Sequence, residues 1–132
     1  MYIPSCHSDF YNAFYDKAQE IRVLSKAISD YLSKDLSPLT TAGQENPYIY
    51  FSGDIVQQSA SLSEQIAKAE QSTQTDRRQH HVLTLNWLTY RLIENCKRLE
   101  HCNSNGKDFL LPLKIELKKF KSLQKHWCLL ML

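Results

Sequence analysis

The feature that most constrains this chain is a stripe: His81, Leu85, Leu88, Leu92, Cys96 and Leu99 recur at steps of three and four residues. That spacing places side chains on one face of an α-helix. A face this apolar has to be buried against another element, so the chain must build a helical core around it. The spacing predicts a helix from about Asp76 to His101, with Leu83, Trp87 and Tyr90 widening the apolar face. Asn103-Ser-Asn-Gly106 stops it, because Asn and Gly accept the left-handed conformation that ends helices.

Three other segments supply partners. Phe10, Phe14, Ala18, Ile21, Leu24, Ile28, Tyr31 and Leu32 predict a helix over about Ser8–Ser33, with Ser8 as N-cap and Asp9 at the positive helix start. Ile55, Ser59, Leu62, Ile66 and Ala69 predict a helix that begins near Ser52 or Asp54 and ends near Ser72. Its stripe is thin and its small residues suit close helix packing or partial exposure. The last helix begins near Asp108, holds Pro112 in its first turn, and carries Leu113, Leu117, Phe120, Leu123, Trp127 and Leu130. Between the first two, residues 34–53 break the period with Pro38, Gly43, Pro47 and Gly53. A connection this long is expected to be ordered, with the aromatic side chains of Pro47-Tyr-Ile-Tyr-Phe51 packed on the helices or forming a short strand.

With 132 residues, 3 glycines and 4 prolines, the chain is too short for two ordinary domains and too poor in turn formers for a β fold. The expectation is all-α: one domain, 1–132, a bundle of three to four long antiparallel amphipathic helices with one long ordered loop at about 34–53. No apolar run is long enough for a membrane span, and no secretory leader pattern stands at the N-terminus. A cytoplasmic protein with no membrane contact is expected. Cys6, Cys96, Cys102 and Cys128 include no C-x-x-C pair and read as free thiols.

Chemistry-bearing patterns are few. Cys96, His101, Cys102, His126 and Cys128 could be tested as zinc ligands, but Cys96 and Cys102 lie about 240° apart on a helix. His80-His81 has no acidic residue at a spacing that would orient either ring. There is no nucleophile elbow, P-loop, dinucleotide fingerprint or Glu-x-x-His pair. The expectation is therefore no catalytic residue, no metal and no cofactor.

Charge is more informative. Residues 1–74 carry 5 Lys/Arg against 9 Asp/Glu, whereas residues 75–132 carry 11 against 5, so a net charge of +2 conceals an acidic and a basic half. Lys114, Lys118, Lys121 and Lys125 recur at helical steps, and Arg91 and Arg98 add charge to the preceding helix. These six are the candidate residues for binding nucleic acid or an acidic partner. The plain alternative is a solvated lysine face.

Several stretches resemble the bacterial primosomal replication protein C family. Phe51-Ser-Gly-Asp-Ile-Val-Gln57 is similar to its Phe-x-x-x-Leu-Phe-Gln segment ahead of a helix, and Leu85-Asn-Trp-Leu-Thr-Tyr-Arg-Leu-Ile-Glu-Asn95 resembles its Trp-Leu-x-x-x-Leu helix. Leu113-Lys-Ile115 and Leu123-Gln-Lys-His-Trp127 resemble later pieces at similar spacing, so the likeness covers residues 9–130. It departs after Trp127, where Cys-Leu-Leu-Met-Leu132 stands in place of arginines and a further basic helix. The resemblance implies a non-enzymatic helical adaptor in replication restart. Such an adaptor binds single-stranded DNA and the acidic tail of single-stranded DNA-binding protein, and helps load the replicative helicase. The other reading is a small helical interaction factor unrelated to DNA, such as an anti-activator, immunity protein or chaperone.

Overall fold

The computed structural model describes residues 6–39 and 42–131, with side chains from residue 9 onward. It is an all-α bundle: α1 (Cys6–Leu36), α2 (Tyr48–Gln71), α3 (Thr75–Leu99) and α4 (Leu110–Met131), with a 3-10 turn at Asn105–Phe109 ahead of α4. There is no strand among the described residues. The expected cap at Ser8 and the thiol of Cys6 fall outside the described side chains.

The four stripes meet in one core. Phe14, Ala18, Ile21, Ile28 and Leu32 come from α1, and Ile55, Leu62, Ile66 and Ala69 from α2. Val82, Leu85, Leu88, Leu92, Cys96 and Leu99 come from α3, and Leu113, Leu117, Phe120 and Trp127 from α4. Cross-helix pairs run in opposite senses. On α1 and α4, Phe10 meets His126 (ring centroids 4.6 Å apart) and Lys17 meets Glu116 (2.6 Å). On α2 and α3, Gln65 pairs with His81 and Gln58 with Asn95.

The connection after α1 is shorter than the sequence suggests. α1 runs on to Leu36, which is buried, and α2 starts at Tyr48, so the two helices are joined by residues 37–47 rather than 34–53. The aromatic run is the first turn of α2 and not a strand. Asn46 and Pro47 explain this: the Asn46 side chain accepts a hydrogen bond from Tyr48 N–H (3.1 Å), and Pro47 has φ −62°, already helical. Gly53 therefore lies inside the helix. The small residues of α2 divide between the two expectations: Ser59 and Ser63 are buried, whereas Ala60, Ser61 and Ala67 are partly exposed.

Gly106 seals the α3–α4 connection. A Cβ there would lie 2.5 Å from Tyr31 Cδ1 and 2.9 Å from Leu32 Cδ2, and its own N–H is capped by Ser104 Oγ, which also donates to Asp35 (2.6 Å). Only hydrogen fits between the turn and α1.

Two stability changes follow and can be read by chemical denaturation. Leu92→Ala should cost roughly 2–5 kcal/mol, because a fully buried leucine in the α3 stripe leaves a cavity. Gly106→Ala should cost about 1–3 kcal/mol by overpacking against Leu32. A loss under about 1 kcal/mol at Leu92 would mean that α3 faces the core differently.

Candidate functional site

α4 is turned so that each candidate lysine directly follows a buried residue: Leu113-Lys114, Leu117-Lys118, Phe120-Lys121 and Gln124-Lys125. One residue is about 100° of helix, so burying the first member of each pair places the second on an exposed edge. That edge borders α3. Ile93, Cys96 and Leu117 form the apolar floor of a cleft of about 190 Å3, and Lys97, Lys114, Lys118 and Lys121 line it. Three of the four candidate lysines thus meet in one place, and Lys125 extends the same edge by one turn. Lys97 belongs to the cleft although the α4 pattern did not include it.

The charges are not equivalent. Lys114 is bonded to Glu100, and Lys97 pairs with Glu94 at 3.3 Å. Lys118, Lys121 and Lys125 make no salt bridge among the described residues, so their ammonium groups are open to a partner. Arg91 and Arg98 do not line the cleft. Arg91 lies over the Trp87 ring (5.8 Å to the centroid), while Arg98 lies over Phe51 (5.3 Å) and donates to Asn95 Oδ1 (2.7 Å).

The aromatic edge of α3 corrects the sequence reading. Leu83, Trp87 and Tyr90 were expected to widen the buried face, but they are 66%, 59% and 60% exposed. Val82, Thr89 and Asn95 turn inward in their place. With Leu83, Trp87 and Tyr90 added to the stripe, the apolar arc of α3 is wider than its neighbours cover, and the excess faces solvent. Tyr31 and Leu130, also read as core, are exposed as well, and Met131 is buried instead.

Polar contacts hold the α3–α4 interface. Thr89 Oγ1 donates to Gln124 Oε1 (2.7 Å), the Gln124 amide donates to Asn86, and the Cys128 thiol donates to the same Asn86 Oδ1 at 3.6 Å. His81 Nδ1 bonds Gln65 Oε1 at 2.8 Å. Burial first, then the nearby His80, Lys68 and Arg77 charges, hold the His81 ring below its ordinary pKa. No carboxylate orients it.

Among the described residues, no group of three or more His, Cys, Asp or Glu side chains is gathered as metal ligands would be, and no helix is long and apolar enough to cross a membrane. Cys96, Cys102 and Cys128 are free. Burial pushes the Cys96 thiol up to about 12 and raises Cys128 as well. Comparison with family models, curated proteins and solved structures finds no match.

A thiol is nucleophilic only as thiolate. Cys96 should therefore resist alkylation by iodoacetamide in the native protein at pH 8, and label fully once the chain is unfolded. Rapid native labelling, read by mass spectrometry, would show that the cleft floor is open.

Proposed function

We propose that this protein is a non-enzymatic helical adaptor that captures an acidic peptide in the α3–α4 cleft. One observation carries the reading: unpaired Lys118 and Lys121 stand on the rim of a cleft whose floor is Ile93, Cys96 and Leu117. Lysines on a solvated face need no apolar floor between them. A peptide that offers carboxylates to the rim and one apolar side chain to the floor uses both. The cleft's size supports this, since about 190 Å3 is smaller than the roughly 300–1,000 Å3 of small-molecule and cofactor sites.

The likeness to primosomal replication protein C gives the reading its specific form. The acidic tail of single-stranded DNA-binding protein would occupy the cleft, and the replicative helicase would be the second partner in a cytoplasmic replication-restart role. A second reading has its own support. Exposed Trp87 and Tyr90, with Arg91 over the indole, form a stacking edge of the kind single-stranded nucleic acids use, beside a row of lysines that could follow phosphates.

The two readings separate by fluorescence, because Trp127 is fully buried and Trp87 is exposed. An acidic peptide ending in Phe should bind with steep salt dependence and leave Trp87 emission unchanged, whereas a stacked oligonucleotide should quench it. Replacing Lys118 and Lys121 by Gln should weaken peptide binding roughly tenfold, since two exposed ion pairs are worth about 0.5–1 kcal/mol each, and should flatten the salt dependence. The same change at Lys26 and Lys34 should do little. Lys17 is unsuitable as a control because it bridges Glu116 at 2.6 Å. Failure to bind either ligand at low salt would reduce the lysines to a solvated face.

A further inference from the structure

On the other side of α4, away from the lysine cleft, the bundle leaves a second apolar surface uncovered. Val23 and Leu24 of α1 face Leu111, Pro112 and Ile115 of α4 across an open groove of about 900 Å3. Leu24 and Pro112 also line a smaller adjoining hollow of about 250 Å3 with Ala27, Tyr31 and Phe109, so the two are one continuous channel. Along α1 it runs from Asp16 to Tyr31, about 22 Å at 1.5 Å per residue, the length of four helical turns. The groove is not a gap in the core. Ile21 and Ile28 of the same helix are buried, while Val23 is 69% exposed and Leu111 62% exposed. Val23 thus stands outside the face of α1 that the bundle uses, and Leu24 lies at its edge.

The rim next to α4 is acidic: Asp16, Glu20 and Glu116 line the groove, and among the described residues Arg22 and Lys26 stand only on the far side of Val23, in a hollow shared with α2. Lys17 lies behind the carboxylates, bonded to both Glu20 and Glu116, and Lys119 pairs with Glu116, which leaves Asp16 without a salt bridge among the described residues. We infer that this α1–α4 groove is a docking site for an amphipathic helix of a partner protein. The docked helix sets apolar side chains at helical steps against Val23, Leu111 and Ile115, and directs Lys or Arg toward Asp16 and Glu20. Length selects a helix over a loop, because a channel four helical turns long matches successive apolar anchors at i, i+4 and i+7. Charge selects a basic helix over an acidic one. This site is separate from the cationic cleft and does not depend on what that cleft binds.

The test uses the full chain and two fluorescent model helices of about 18 residues, with Leu at the a and d heptad positions and either Lys or Glu elsewhere. The Lys helix should bind and the Glu helix should not. Val23→Asp with Ile115→Asp is the decisive variant, because both positions are exposed and the change adds negative charge. Docking in the groove predicts more than tenfold weaker binding of the Lys helix. Attraction by charge alone predicts tighter binding, and that result overturns the proposal. Asp16→Asn with Glu20→Gln should weaken binding and flatten its salt dependence, while Lys118→Gln with Lys121→Gln should leave it unchanged. Equal binding of the Glu helix, or no binding of either, overturns the proposal. So does a dimer in sedimentation velocity that the double aspartate variant dissolves, since a second copy would then be the occupant. Circular dichroism of each variant checks that the bundle stays folded.

Discussion

The seat of Trp127 decides how the last helix sits, and much of the surface follows from it. Its ring is fully buried, packs against Phe14 of α1 at 5.3 Å, and donates its indole N–H to Glu70 of α2 at 2.9 Å. A buried indole without an acceptor would carry the cost of a stranded donor, so the Glu70 bond restricts the ring to one orientation. Phe120, one stack away on Phe14 at 4.7 Å, repeats the constraint two turns earlier. Two aromatic anchors on one side of α4 leave no freedom of rotation. The residue after each buried position must then point outward toward α3, and those residues are lysines. The cationic cleft is a consequence of the core and not an independent surface feature.

Register along the helices is held by polar pairs that an apolar core alone would not specify. Asn95 is fully buried, donates to Gln58 Oε1 at 3.0 Å, and accepts from Arg98 at 2.7 Å. Thr89 and Gln124 satisfy one another between α3 and α4. Sliding either interface by one turn would strand these groups out of water, at a cost of about 1–3 kcal/mol each. Lys17 does the same for α1 and α4 in a more exposed place. Its bond holds the Glu116 carboxyl below the usual range, so this contribution is present above the ordinary carboxylate pKa and is lost as pH falls through the lowered value.

Helix existence was readable because each stripe repeats over about four or more turns, and Leu85, Leu92, Leu117 and Phe120 are buried as their spacing requires. The start of α2 was not, because Asn46-Pro47 carries two messages. Proline breaks a helix interior and also opens a helix at its first position, and only the acceptor on Asn46 decides between them. Leu83, Trp87 and Tyr90 were misplaced for a different reason: periodicity gives the width of an apolar arc but not where its centre lies. The lysine row was visible from its steps. Its floor was not, since Ile93 and Leu117 belong to different helices and meet only through the rotation that Trp127 imposes.

α4 contributes to both candidate faces, with Lys118 and Lys121 on one edge and Leu111, Ile115 and Glu116 on the other. A shared element invites the idea that one partner would signal to the other. Coupling requires an element with two arrangements whose balance both ligands shift. α4 has no second arrangement of comparable stability, because a rotation that moved the lysines would withdraw Trp127 from Glu70, break the Phe14–Phe120 stack and unpair Thr89 and Gln124 together. Stranding each buried polar group costs about 1–3 kcal/mol, so losing the three contacts at once exceeds the 1–3 kcal/mol of a typical coupling energy. The two faces should therefore be occupied independently. The bundle then works as a rigid spacer that holds an acidic peptide and a basic helix side by side across one helix, without a switch between them.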